Sequence, residues 1–127
     1  AGLDRGARRS ATPVDCGRLC AETVVAAASR ADLLVNATPL GTARHADESP
    51  WPADRPVPAH LTVIDIVAWP LETRLVRQAR AAGANAHGGL EMLIGQAAAA
   101  FALWTGREAP LEAMRAGARQ AIERSGP

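Results

Sequence analysis

The chain has 127 residues, which is enough for one domain or for a large part of one. It is 48% hydrophobic and 21% charged, a composition typical of folded globular proteins and unlike that of disordered chains. Its net charge of +1 at pH 7 gives no electrostatic support for binding nucleic acid or an acidic membrane surface.

The basic residues are of one kind only. All 14 are arginines, and the chain contains neither lysine nor tyrosine. It therefore offers no amine for proton transfer or for a Schiff base, and no phenol. The sequence begins at Ala1 within a charged segment, so we expect an N-terminal part to precede it, although removal of an initiator methionine would give the same start.

The two cysteines, Cys16 and Cys20, are too few for a disulfide scaffold or a structural zinc site. We expect both to be reduced and to share one helix face, in a cytoplasmic, reducing compartment, with no bound metal. Charged residues interrupt the start of the chain, so no signal peptide is expected. The weakly polar stretch 92–104 is too short to cross a bilayer, so no membrane partner is expected either.

The first half of the chain predicts a strand, a helix and a second strand. Residues 10–15 predict a short strand, residues 17–30 a helix, and residues 33–37 a strand that is buried on both faces. Residues 43–60 form a proline-rich loop, and its length predicts either a function or mobility.

The second half alternates strands with helices. The predicted elements are a strand at 61–67, a helix that starts at Pro70 and stops at Gly83, a buried strand at 85–87, a helix at 90–104 and a last helix from Pro110. This alternation predicts an α/β fold with a parallel sheet. Ligands bind outside the carboxyl ends of such strands, which are the segments 36–42, 66–70 and 87–92.

Several candidate features in these segments have two interpretations. Residues 36–41 could bond a ligand or simply form a turn, and Gly88-Gly89 could admit a ligand close to the backbone or form an ordinary turn. Gln96 lies on an otherwise apolar helix, where a buried amide needs a hydrogen-bond partner, either the backbone or a substrate. Asp65 lies within a buried strand, where we expect a backbone or charged partner in preference to catalysis.

Read together, four blocks resemble the shikimate and quinate dehydrogenase family. They stand in the family's order and spacing: 36–41 (NATPLG), 65–73 (DIVAWPLET), 89–98 (GLEMLIGQAA), and 104–106 (WTG) with Phe101 before it. The resemblance implies that residues 1–127 are the C-terminal part of a Rossmann-like NADP-binding domain, with 107–127 as its C-terminal helix. It also implies the doubly wound strand order, with residues 10–15 as strand 3 and the later strands as 4, 5 and 6.

The family reduces 3-dehydroshikimate to shikimate with NADPH, in aromatic amino acid biosynthesis. The resemblance therefore implies NADP as cofactor, a shikimate-like small molecule as substrate, and Gln96 as the residue that would bond the substrate. The residues that would border the cofactor are Asn36, Thr38, Leu40, Gly41, Ile66, Gly89 and Met92. The family's catalytic lysine and aspartate lie in an N-terminal domain without a counterpart in this chain, so no catalytic residue is assigned and the chain alone is expected to be inactive.

Two departures from the family pattern matter. Ala68 stands where the family usually has a tyrosine that contacts the substrate carboxylate, so the substrate could be quinate or another cyclic hydroxy acid, or the chain could be a non-catalytic binding paralogue. The family's first two strands and its glycine-rich phosphate turn are also absent, and without them the sequence does not choose NADP over NAD. Strand 33–37 would then expose an apolar edge, which would be covered by the first segment, by another chain in a homo-oligomer, or by the rest of a longer protein.

Overall fold

The computed structural model describes residues 15–125. Its elements are, in chain order, α1 (Ala21–Ala28), β1 (Leu33–Asn36), a short 3-10 turn (Ala43–His45), β2 (Thr62–Asp65), α2 (Arg74–Ala81), β3 (Asn85–His87), α3 (Leu90–Thr105) and α4 (Leu111–Ser125). The strand predicted at 10–15 lies outside the described residues except for Asp15, so its pairing stays a prediction.

The described strands form one parallel sheet in the order β1-β2-β3. Leu34 of β1 is in register with Val63 of β2, which is in register with Ala86 of β3. The predicted α/β class and parallel sheet are confirmed.

The core lies on the face of the sheet that carries Leu34, Val63 and Ala86. Because side chains alternate along a strand, these aligned residues point to the same side. Both α1 and α2 pack on that side, through the residues Val24, Val25, Ala28, Leu75, Val76 and Ala79. The sheet therefore has one well-covered face among the described residues.

The opposite face corrects the prediction that β1 is buried on both faces. Leu33 and Val35 point to that side and are about half exposed. β1 is an edge strand of the described sheet, and both side chains stay about half exposed, so a continuous apolar run does not ensure burial.

Two helices begin later than the sequence predicts. α1 starts at Ala21 with Cys20 as its N-cap residue, so Cys16 and Cys20 precede the helix and do not share a helix face. Both are free cysteines. α2 starts at Arg74 and not at Pro70, because the Thr73 hydroxyl accepts a hydrogen bond from the first turn.

The long loop 43–60 packs two of its side chains into the core, which argues against a mobile loop, while a function for the loop stays a prediction. Trp51 and Val57 are buried, and the Trp51 indole nitrogen donates to the Arg55 carbonyl oxygen at 2.8 Å. The Ser49 hydroxyl donates to the Gln78 side-chain oxygen at 2.6 Å, which ties the loop to α2. The loop thus closes the core beside α2.

The two C-terminal helices lie where the sequence predicts them and contact each other. Gly106 ends α3 in the left-handed conformation with φ of 66°, and the chain turns there into α4. Arg115 of α4 donates to Glu91 and to Glu112, and these hydrogen bonds raise the pKa of the guanidinium. Among residues 15–125, no helix is long and apolar enough to cross a membrane.

Replacement of a buried tryptophan in the loop should destabilise the whole chain. We expect Trp51→Ala to lower the free energy of unfolding by about 3–5 kcal/mol, because it removes a ring that is 2% exposed and leaves a cavity. Trp104→Ala is the matched control, since that ring is 82% exposed and its loss should change stability by less than about 0.5 kcal/mol. Urea unfolding followed by circular dichroism measures both, and equal midpoints would contradict the packed loop.

Candidate functional site

The β1 turn, which we define as residues 36–41, follows β1 at the carboxyl end of the sheet. The Asn36 side-chain nitrogen donates to the Leu40 carbonyl oxygen at 3.1 Å. The Asn36 side-chain oxygen accepts from the Thr38 amide at 3.1 Å and from the Thr38 hydroxyl at 2.7 Å. The Leu40 amide in turn donates to the Thr38 hydroxyl oxygen at 3.2 Å. Asn36 therefore organises the turn from within.

Asp65 ends β2 beside Asn36 in the parallel register and is 0% exposed. One of its carboxylate oxygens accepts from the Asn36 side-chain nitrogen and from the Val67 amide, each at 3.0 Å. The other oxygen accepts from the Thr73 hydroxyl at 2.6 Å. A buried carboxylate needs such hydrogen bonds, and here a backbone group and two neutral side chains supply them. Of the two kinds of partner predicted for Asp65, the backbone is found.

Thr73 is a residue of the candidate site to which the sequence analysis gave no role. It is 1% exposed and immediately precedes α2. Its hydroxyl donates to Asp65 and accepts from the Val76 amide at 3.3 Å, so one oxygen atom both caps the helix and binds the carboxylate. A threonine just before a helix is a recognisable N-cap, which is the signal that would have found it.

Gly41 brings the β1 turn against the start of α2. It is buried with φ of 94°, a conformation that favours glycine. A Cβ atom there would lie 3.2 Å from Thr73 Cβ, so the close approach of these two segments also favours glycine.

Gly88 and Gly89 form the turn from β3 into α3, and both meet the β2 loop, which we define as residues 66–73. A Cβ on Gly88 would lie 2.9 Å from the Leu71 carbonyl oxygen, and a Cβ on Gly89 would overlap the Ile66 carbonyl group. The Gly89 amide donates to the Val67 carbonyl oxygen at 3.1 Å. The chain's own backbone therefore occupies the space next to these glycines.

The groups that face outward at this edge come from the β1 turn and α3. Thr38 and Leu40 are half-buried, and Met92 is partly exposed. Gln96 lies two helical turns beyond Gly89 on the same face of α3, because seven residues make nearly two full turns. Its side chain is exposed among the described residues, and the choice between a backbone partner and a substrate stays a prediction.

The histidines do not join this site as a group. His45 pairs with Glu48, the His60 ring lies 3.1 Å from the Ala31 carbonyl oxygen, and His87 is exposed at the end of β3. Within residues 15–125, no three histidine, cysteine or acidic side chains are grouped as metal ligands. The groups identified at the sheet edge are instead a hydroxyl, backbone groups and apolar side chains.

The parallel sheet and the helices that flank it define an α/β protein with a Rossmann-like fold. Residues 89–119 match the family described as the Shikimate 5'-dehydrogenase C-terminal domain. An NADP-type shikimate dehydrogenase of Symbiobacterium thermophilum is 43% identical over 102 residues, which are 80% of this chain and 35% of that protein. The chain spans about a third of the length of the curated relatives it matches.

Solved structures show the same likeness. The shikimate dehydrogenase of Thermus thermophilus, in complex with NADP(H) and shikimate, has a TM-score of 0.67 and 42% identity over 74% of this chain and 35% of that one. A quinate dehydrogenase of Corynebacterium glutamicum, in complex with NAD, has a TM-score of 0.66 and 35% identity over 75% of this chain and 33% of that one. The chain corresponds to the C-terminal part of the shikimate dehydrogenase family, and the described three-stranded sheet matches part of that fold.

The tight turn at Gly89 should not accept a side chain. We expect Gly89→Ala to lower the free energy of unfolding by about 1–3 kcal/mol, because its Cβ would press on backbone that cannot move aside easily. Gly95→Ala is the matched control in the same helix, where a Cβ meets nothing within 4 Å and should stabilise the helix by up to about 1 kcal/mol. Urea midpoints of the two variants give the comparison, and a neutral Gly89→Ala would show that the β2 loop yields.

Proposed function

We propose that this chain forms the nicotinamide side of the cofactor site of a shikimate dehydrogenase-like oxidoreductase. Residues 1–127 would be the C-terminal part of its Rossmann-like domain, with 107–127 as the C-terminal helix. The observation that carries the proposal is the convergence of the β1 turn, the β2 loop and the start of α3 at the carboxyl edge of the sheet. Relatives that share these segments are named as NADP-dependent enzymes.

The outward-facing groups fit a nicotinamide ring. Leu40 and Met92 would offer apolar surface to the ring, and the Thr38 hydroxyl and backbone of the β1 turn would offer polar contacts at its border. When bound, NADPH supplies a hydride. The proposed cofactor-site residues are Asn36, Thr38, Leu40, Gly41, Ile66, Gly89 and Met92.

Buried residues would shape the proposed site, and an exposed residue would contact the substrate. Asn36, Gly41 and Gly89 are buried and held by internal contacts, so they would shape the site. Gln96 is exposed on the α3 face that continues from Gly89, so its amide is free to reach a hydroxyl or carboxylate of the substrate. No catalytic residue is proposed within the chain, because it contains no lysine and the proton transfer would belong to another part of the enzyme.

A second candidate substrate class follows from Ala68. This half-buried residue lies in the β2 loop and cannot supply the hydroxyl that the family's usual tyrosine gives to the substrate carboxylate. A structurally similar chain is named as a quinate dehydrogenase. The alternative is therefore an enzyme for quinate or another cyclic hydroxy acid.

A chimera tests the function and the substrate together. The C-terminal third of the Symbiobacterium enzyme would be replaced by the matching part of this chain, and the purified chimera assayed with NADPH and 3-dehydroshikimate, and with NAD and quinate. We expect Ala68→Tyr in the chimera to raise kcat/KM for the shikimate pair by about tenfold, the value of one recovered hydrogen bond to a charged group.

The controls for the chimera are the unmodified relative and Gln96→Ala. Gln96→Ala should raise KM for the substrate while the affinity for NADPH stays constant. A chimera that folds and binds NADPH but oxidises or reduces neither substrate pair would favour the non-catalytic binding paralogue.

The chain alone should bind NADPH only weakly. Residues 1–127 include no glycine-rich phosphate turn, so the phosphates would lack the contacts that supply much of the affinity. Titration of the chain with NADPH, followed by nicotinamide fluorescence, should therefore show no saturation at micromolar concentrations. A micromolar Kd would contradict this division of the cofactor site.

A further inference from the structure

We propose that Asp65 and Thr73 are positioning residues that make the order of the β1 turn depend on the first turn of α2. The inference rests on the proposed function only in that the β1 turn would border the cofactor. Neither residue was assigned a ligand contact from the sequence, and neither can make one directly, because their side chains are 0% and 1% exposed. Their effect on a ligand would therefore pass through the residues they hold.

The connection is a continuous series of hydrogen bonds. The Thr73 hydroxyl donates to one Asp65 oxygen at 2.6 Å, and the Asn36 side-chain nitrogen donates to the other at 3.0 Å. The Thr38 hydroxyl donates to the Asn36 side-chain oxygen at 2.7 Å and accepts from the Leu40 amide at 3.2 Å. The series thus begins at the start of α2 and ends at the half-buried residues that face the proposed ligand.

Each member of the series has little freedom to find another partner. Both donor positions of the Asn36 amide nitrogen are used, on Leu40 and on Asp65, and its oxygen accepts twice from Thr38. The Thr73 hydroxyl has one proton, which it gives to Asp65. Loss of one bond therefore leaves a buried group unsatisfied, which favours rearrangement of the next residue in the series.

A purely local role for Thr73 makes a different prediction. As the N-cap of α2, its hydroxyl accepts from the Val76 amide, and this contact alone would explain a threonine at that position. Loss of the cap would loosen only the first turn of α2. Loss of the whole series would also loosen the β1 turn, which lies on another strand.

Amide hydrogen exchange on the full chain separates the two roles. Thr73→Val keeps the shape of the side chain and removes the hydroxyl, and Thr73→Ser keeps the hydroxyl. We expect Thr73→Val to speed exchange at the Thr38 and Leu40 amides by about tenfold, and Thr73→Ser to restore protection there. The Leu93 amide, which donates to the Gly89 carbonyl oxygen in α3, should be unchanged and serves as the internal reference.

The result that would overturn the proposal is faster exchange at Val76 with unchanged exchange at Thr38 and Leu40. Trp51→Ala is the control for a general loss of stability. It should speed amide exchange across the whole core, without a selective effect on the β1 turn. If Thr73→Val does not fold, Asp65→Asn is the second variant. It keeps the oxygen that accepts from Asn36 but cannot accept the Thr73 proton in the same way, so Thr38 and Leu40 should again lose protection selectively.

The functional consequence is read in the chimera with NADPH as the probe. A positioning role predicts that Thr73→Val raises KM for NADPH more than it lowers kcat, and that Thr73→Ser keeps the parent values. If the chimera without substitutions has no activity, the proposed function fails while the exchange data still decide the positioning role. If the chimera is active and Thr73→Val leaves KM for NADPH unchanged, the positioning role is rejected.

Discussion

The structure at the carboxyl edge of the sheet depends on how one buried carboxylate is satisfied. Asp65 has no exposed surface, so its oxygens must take hydrogen bonds from within the protein. The three donors that they receive come from β1, from the β2 loop and from the residue before α2. Segments that are distant in the sequence are therefore held together at the point where a parallel sheet presents its ligand site.

Glycines make this convergence sterically feasible. Gly41 lets the β1 turn approach Thr73, and Gly89 lets the start of α3 approach the backbone of Ile66. A side chain at either position would hold the segments apart and stretch the bonds to Asp65. The hydrogen bonds to Asp65 draw the β1 turn and the β2 loop together, and the glycines leave room for these segments to come into contact. What remains exposed at the edge is a small set of groups that includes Thr38 and Met92.

The sequence predicted the elements whose signals are local. β3, α3 and the stop at Gly106 follow from short patterns that involve only neighbouring residues. The errors concern features that depend on distant partners. The burial of Trp51 depends on packing beside α2, and the exposure of Leu33 depends on which strand lies at the sheet edge. In the candidate site, the order of the blocks predicts its segments, and Thr73 is predictable as a helix cap, but its contact with Asp65 depends on the tertiary fold.

Ala68 lies in a loop whose two ends are fixed by hydrogen bonds. The β2 loop is fixed near its start, where the Val67 amide donates to Asp65, and at its end, where Thr73 does the same. Ala68 lies between these fixed points and is only half-buried, and its side chain takes no part in the network. A change at this position can therefore alter the surface of the loop while the loop keeps its place. The absence of tyrosine from the chain, which at first only limits its chemistry, therefore leaves the hydrogen bonds at the carboxyl edge of the sheet in place.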